Sequence, residues 1–242
     1  MLNPLLQSMP PSQKVWVGFS GGLDSTALLH ALKIQAENNY QLHAIHVHHG
    51  LQAKADEWAL HCQRLCQQWQ IPFQLVRATI ENKERNTEYK AREARFSAFQ
   101  HSLAQGDCLA LAHHQDDVAE TLLMRLLRGS GTQALANMQE FSQRDQYTIW
   151  RPLLNCSRAS LEHYAQQQQL QWIEDDSNSD TRFDRNFIRH EILPRIEQRF
   201  PNATLGIAQS AKLLAIDAEL LEKNITSNLF ICSNTKQLSV SK

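Results

Sequence analysis

Val15-Trp16-Val17-Gly18-Phe19, then Ser20-Gly21-Gly22-Leu23-Asp24-Ser25-Thr26, then Ala27-Leu28-Leu29 reads as a buried strand, a tight small-residue turn and a helix. Adjacent glycines let the backbone turn with several N–H groups aimed at one point, and the helix that follows adds the positive end of its dipole there. Such a point suits a phosphate. Ser20, Ser25 and Thr26 bring hydroxyl donors to it. Asp24 brings a carboxylate, which makes sense beside an anion when it holds a Mg²⁺ that the phosphates also bind. The plainer alternative is a Gly-Gly strand-to-helix turn without a ligand.

Outward from this turn, apolar runs alternate with helical patterns. Strands are expected over Lys14 to Ser20, Leu42 to His49, Phe73 to Thr79 and Cys108 to His114, with helices starting near Asp24, Lys54, Glu88 and Asp117. This βαβα order implies an α/β fold, a mainly parallel sheet with helices on both faces. Ligands of such sheets bind beyond the carboxyl ends of the strands, where Ser20, His48 and His113 would meet. From Ser157 the chain reads as a helical extension: Arg158 to Gln169, Asn186 to Phe200 and Ala203 to Lys223, with a short strand at Asn228 to Cys232. The expected division is an α/β domain over 1–155, its helical extension over 156–224, and the start of a linker or truncated C-terminal region over 225–242.

The length of 242 residues allows a large core without staples. Five cysteines, an odd number with no Cys-x-x-Cys pair, point to a reducing compartment. The start of the chain has no basic region followed by a long apolar run, and no stretch reaches membrane-spanning length, so a cytoplasmic protein without membrane partners is expected. A net charge of −1 leaves any RNA contact to local basic faces.

Four further groups carry chemistry. Asp117 and Glu120 lie three apart near the start of a helix, on one face, where they could grip an ammonium group, help carry Mg²⁺, or merely complement the helix dipole. His46, His48, His49, His113 and His114 could ligate a transition metal in a phosphohydrolase, although a histidine inside a strand is more simply a satisfied side chain. Glu88, Arg92 and Arg95 form a charged stripe that suits either a surface salt-bridge ladder or a phosphate. Between Thr181 and Phe200, five arginines with Phe183 and Phe187 make either an RNA contact or an ordinary charged helix.

Ser20 to Ser25 matches Ser-Gly-Gly-x-Asp-Ser and so resembles the PP-loop of the N-type ATP pyrophosphatases; it lacks the Lys of a Walker loop and the spacing of the dinucleotide fingerprint. Taken in order with His46-Val47-His48-His49-Gly50-Leu51, Glu88 to Phe96, His113 to Asp117 with Glu120-Thr121, Arg128-Gly129-Ser130-Gly131, Arg151-Pro152-Leu153-Leu154, Glu174 to Asn178 and Arg185 to Arg189, it resembles the tRNA(Ile)-lysidine synthases. Departures are small: Ala112, Val118 and Ala134 replace residues common in that family, and none removes a reactive group.

The resemblance implies an adenine nucleotide alpha hydrolase-like, Rossmann-like fold. It also implies an ATP-dependent ligase that adenylates C2 of the wobble cytidine in the isoleucine tRNA with CAU anticodon and then joins free L-lysine to it. Ser20, Gly21, Gly22, Leu23 and Ser25 would hold ATP, Asp24 would position Mg²⁺, and His113 would lie near the reacting phosphate. Asp117 and Glu120 would bind lysine, and Arg92, Arg95, Arg128, Arg185 and Arg189 would contact tRNA or phosphate. A homodimer is compatible with this reading. The rivals are a tRNA thiolase, a metal-dependent phosphohydrolase and a non-catalytic RNA-binding protein.

Overall fold

The computed structural model describes residues 14–36, 40–50, 54–78, 87–136 and 138–234, with backbone alone for 87–89 and 225–234. Leu51, Thr79 and the side chains of Glu88, Tyr89 and Cys232 lie outside the described residues.

In chain order the elements are β1 (Lys14–Gly18), α1 (Leu23–Gln35), β2 (Gln41–His48), α2 (Ala55–Gln68), β3 (Phe73–Arg77), α3 (Thr87–Ser102), β4 (Cys108–Ala110), α4 (Gln115–Leu127) and α5 (Thr132–Leu135). There follow β5 (Phe141–Gln143), β6 (Thr148–Trp150), α6 (Arg158–Gln167), α7 (Asp184–Phe187), α8 (Leu193–Arg199) and α9 (Ala203–Asn234). The described residues fall into two compact units, residues 14–115 with 140–178, and residues 116–139 with 179–234. This division differs from a cut after residue 155, because α6 packs on α1 whereas α9 packs on α5 and α8.

The first unit is a six-stranded sheet in the order β3-β2-β1-β4-β6-β5. All neighbours are parallel except β5, which pairs antiparallel with β6. The α/β class expected from the sequence is therefore correct. Alternation along β1 sorts its side chains onto two cores. Val15 and Val17 join Leu28, Leu29 and Leu32 of α1 and Cys62, Leu65 and Cys66 of α2, while Trp16 packs with Phe99 and Leu103 of α3 and with Leu109 and Ile149. Each fully buried leucine of α1 contributes about 1.5–3 kcal/mol, so the helix following the Gly-Gly turn is firmly anchored. The strand order reverses direction at β1, between β2 and β4, which opens a crevice beyond the carboxyl ends of those strands.

Several expected boundaries shift. β4 stops at Ala110: the Leu111 N–H makes the last bond to β6, to the Trp150 carbonyl at 2.8 Å, and the chain then leaves the sheet toward α4. β5, β6 and α5 are only three or four residues long, too short to carry a periodic signal. The helix expected over Asn186 to Phe200 is α7, a π-helical turn at Ile188–Ile192, and α8 with Pro194 in its first turn. Proline has no N–H to continue the ladder, and the extra residue of the π turn absorbs the mismatch. The strand expected at Asn228 to Cys232 is instead the last part of α9, since no Gly or Pro interrupts the helix after Gly206 and propagation is cooperative.

Candidate functional site

In the first unit, the turn after β1 is shaped by hydrogen bonds inside the loop. Gly21 has φ +86°, a conformation open to glycine at no steric cost, and a Cβ there would meet Cys62 Sγ and Ile173 Cδ1, each at 2.8 Å. Gly22 is the N-cap of α1 with extended backbone. Ser25 Oγ accepts from the Ser20 N–H at 3.2 Å and donates to the Gly22 carbonyl at 3.1 Å. The Gly21 carbonyl accepts from Ile173 N–H at 2.8 Å and from Thr26 Oγ1 at 3.3 Å. Ser20 is exposed at the mouth of the turn, and its Oγ lies 3.4 Å from the Gly22 nitrogen. Leu23 is 7% exposed, so its side chain serves the core and only its backbone can face a ligand.

Asp24 lies in the first turn of α1. Its Oδ2 is 3.6 Å from Nε2 of His114, which is buried, while its sheltered Oδ1 accepts no hydrogen bond. A buried carboxylate oxygen without a donor is costly, and a divalent cation would satisfy it. The exposed Ser20 hydroxyl, the glycine amides and the helix N-terminus suit a phosphate at the same place, so these residues fit Mg²⁺ together with a polyphosphate. Ser20, His48 and His113 stand at the carboxyl ends of the adjacent strands β1, β2 and β4, as expected.

His46 and His48, within β2, and His49, just after it, are taken up by other partners and by burial. His46 donates from Nδ1 to the Phe19 carbonyl at 2.8 Å, and burial lowers its pKa, so it is a neutral strand histidine. His48 Nε2 lies 3.3 Å from Asp56, which also pairs with Arg77 at 3.0 Å. Burial, with Arg95, His46 and His48 nearby, pushes His49 down to about 4. Among the described residues no group of three or more His, Cys, Asp or Glu is placed to hold a metal ion. Three of the described thiols are inert as well: Cys62, Cys66 and Cys108 are buried, and burial pushes Cys66 and Cys108 up to about 12. They are not the reactive thiolates that sulfur transfer would use.

The second unit joins residues that the sequence assigned to different partners. Glu120, with no exposed surface, accepts from Arg185 Nε at 2.7 Å and from Arg189 Nε and Nη2 at 2.6 and 3.0 Å. Asp117 Oδ1 accepts from Arg185 Nη2 at 2.8 Å and Arg189 Nη2 at 3.3 Å. The spacing places both acids on one face of α4, and α7 with its π turn brings both arginines to that face. Burial opposes the charge of Arg185, but Asp117 and Glu120 outweigh it and raise its pKa. Arg185 and Arg189 were expected on the RNA face; here their guanidinium groups are engaged by carboxylates. Matching the two pairs by charge was open to sequence reading, but which acid meets which arginine was not.

Arg92 and Arg95, in the first unit, and Arg128, in the second, have partners of their own. Arg92 packs over the Phe96 ring, 5.0 Å from its centre, and Arg95 is near enough to His49 to oppose its protonation. Arg128 pairs with Asp184 at 2.9 Å on an exposed surface. Phe183, Phe187 and Phe200 remain exposed, the last with Arg199 over its ring at 5.4 Å. Thr26, expected to offer its hydroxyl to the phosphate, is buried and donates to the Gly21 carbonyl instead, and His114, a candidate metal ligand in the sequence, stands beside Asp24. Ile173, whose N–H also holds the Gly21 carbonyl, gave no signal in the sequence.

A family profile described as a PP-loop domain matches residues 2–196. The chain belongs to the PP-loop family. The tRNA(Ile)-lysidine synthase of Yersinia pseudotuberculosis serotype O:1b is 46% identical over 232 residues, which cover 95% of this chain and 51% of that protein. That of Xanthomonas axonopodis pv. citri is 47% identical, covering 90% and 50% respectively. The chain thus spans about half the length of the curated relatives it matches. Among solved structures, the U34-tRNA thiolase NcsA of Methanococcus maripaludis, with its [4Fe-4S] cluster, superposes with a TM-score of 0.72 at 17% identity, covering 88% of this chain and 78% of that one. This likeness shows a shared fold. Among the described residues no helix is long and apolar enough to cross a membrane.

Proposed function

We propose that this chain is the catalytic part of a tRNA(Ile)-lysidine synthase, acting on the isoleucine tRNA with CAU anticodon, ATP and free L-lysine. The observation that carries the ATP step is the braced Gly21-Gly22 turn at the N-terminus of α1, with Asp24 Oδ1 lacking a hydrogen-bond donor. The relatives' names and their identity over most of this chain support the choice of tRNA and lysine.

In this reading the C2 oxygen of the wobble cytidine attacks the α-phosphorus of ATP. An oxygen–phosphorus bond forms, the α–β phosphoanhydride bond breaks, and pyrophosphate leaves toward the Ser20 hydroxyl and the loop amides. Held by Asp24, Mg²⁺ would supply charge neutralisation for the phosphates. His113, in the connection from β4 to α4, is assigned to the reacting phosphate. The lysine ε-amine, once deprotonated, then attacks C2; the C2–oxygen bond breaks and AMP departs carrying that oxygen.

Asp117 and Glu120 are assigned to the lysine ammonium. Because both already bind guanidinium groups, the ammonium would displace an arginine contact rather than fill an empty pocket. Arg92, Arg95 and Arg128 are assigned to tRNA or phosphate. ATP, tRNA and reduced thiols fit a cytoplasmic setting.

The test is incubation of the protein with ATP, Mg²⁺, labelled lysine and unmodified isoleucine tRNA, with methionine tRNA as control. Label should enter the isoleucine tRNA alone, with release of AMP and pyrophosphate. Labelling of neither tRNA despite pyrophosphate release would refute lysine as the nucleophile's source.

A further inference from the structure

We propose that Thr26, one residue beyond the Ser20–Ser25 loop, is a positioning residue that sets the direction of the Gly21–Gly22 peptide and thereby aims the Gly22 N–H into the nucleotide site. This rests on the reading of the loop as the ATP site. With φ +86° at Gly21, no side chain restricts that peptide, and its orientation must be imposed from outside. Two donors impose it. Ile173 N–H and Thr26 Oγ1 both bind the Gly21 carbonyl, at 2.8 and 3.3 Å, drawing it toward the protein interior. In a trans peptide the N–H points opposite to the carbonyl, so the Gly22 N–H turns outward, where it donates to the exposed Ser20 Oγ at 3.4 Å, a long bond that a phosphate oxygen can replace.

Thr26 has no exposed surface, so its hydroxyl acts on the loop and cannot touch the nucleotide itself. Ser25 is also an internal brace: its proton goes to the Gly22 carbonyl, its oxygen receives the Ser20 N–H, and the same oxygen lies 3.0 Å from the Ser20 hydroxyl, fixing that group at the mouth of the turn. Division of labour follows from these bonds. Ser20 and the glycine amides face the phosphates, while Ser25 and Thr26 hold them in place. Behind Gly21, Cys62 and Ile173 leave no room for a side chain, so the position stays glycine and the orientation of its peptide is left to these hydrogen bonds.

Thr26→Val removes the donor and keeps the shape; Thr26→Ser keeps the donor and removes a methyl group. Binding of MgATP to the intact chain, measured by titration calorimetry, should weaken about five- to tenfold in the Val variant, the loss of one hydrogen bond's worth of orientation, and stay within about twofold in the Ser variant. In the tRNA assay the Val variant should raise KM for ATP and leave KM for lysine unchanged. Urea unfolding of both variants confirms that each is folded. Wild-type affinity in the Val variant, or equal losses in Val and Ser, would overturn the positioning role. Failure of the wild-type chain to bind MgATP would instead overturn the ATP reading of the loop, and the proposal with it.

Discussion

Glu120→Gln tests the ion quartet of the second unit most directly. The substitution keeps the volume of a side chain with no exposed surface, but three charge-assisted bonds from Arg185 and Arg189 lose their carboxylate. Asp117 would then face two guanidinium groups alone, and the glutamine amide would turn N–H donors toward N–H donors. Breaking a buried pair costs about 3–5 kcal/mol. The side chains of Arg185 and Arg189 are 30% and 21% exposed, so water screens part of the imbalance. The expected loss is therefore at the lower end, about 3 kcal/mol. For a chain of this size that corresponds to a melting point about 6–12 °C lower.

The assay must report on the right unit. All five tryptophans lie at positions 16, 58, 69, 150 and 172, in the first unit, so their fluorescence reports the surroundings of that unit and not those of the quartet itself. Far-ultraviolet circular dichroism, which sums over the helices of both units and so includes α4, α7, α8 and α9, is the appropriate signal for urea unfolding. Combining Glu120→Gln with Arg189→Met removes the excess positive charge and should recover about 1 kcal/mol or more relative to the single variant. A single-variant loss under about 0.5 kcal/mol, or a double variant no better than the sum of its parts, would falsify the reading that these four groups act as a neutral buried set.

Other outcomes follow from the same structure. Asp24→Ala should leave the fold intact and abolish tRNA-dependent pyrophosphate release; normal release would remove Asp24 from the Mg²⁺ site. Gly21→Ala should destabilise by about 2–5 kcal/mol, the sum of left-handed strain and overpacking against Cys62 and Ile173, with tryptophan fluorescence in urea as the check. Asp117→Asn together with Glu120→Gln should weaken lysine use more than ATP binding in steady-state kinetics, and equal loss of both would mark the pair as structural. Burial lowers His46 and takes His49 to about 4, below the ordinary histidine value of 6.5, so the unfolded chain binds more protons between those limits. Stability should therefore fall as pH drops through that window, seen in urea midpoints on either side of it; a pH-independent midpoint contradicts the buried neutral histidines.

Much of the first unit was legible because its signals are local. The strand-turn-helix at Val15 to Leu29 depends on residues next to one another, and alternation of Val15, Trp16 and Val17 across β1 is a property of the pleat itself. Short strands were lost for the complementary reason: Phe141–Gln143 and Thr148–Trp150 become strands only by pairing with each other and with β4. The split of the helix around Pro194 was foreshadowed by the proline, but the π turn that accommodates it was not.

The same distinction separates the two parts of the site. The sequence alone determined that a tight Gly-Gly turn of a shape suited to a phosphate follows β1, that an acid stands in the first helical turn, and that Asp117 and Glu120 share a face, because each is set by chain geometry over a few residues. Only the tertiary structure decided that Thr26 and Ile173 share the Gly21 carbonyl, that His114 is the histidine beside Asp24, and that Arg185 and Arg189 close on the acids of α4. Charge and hydrogen-bonding capacity are written in the residues. Which partner satisfies them depends on packing between distant segments, where burial makes an unmatched group too costly to leave alone.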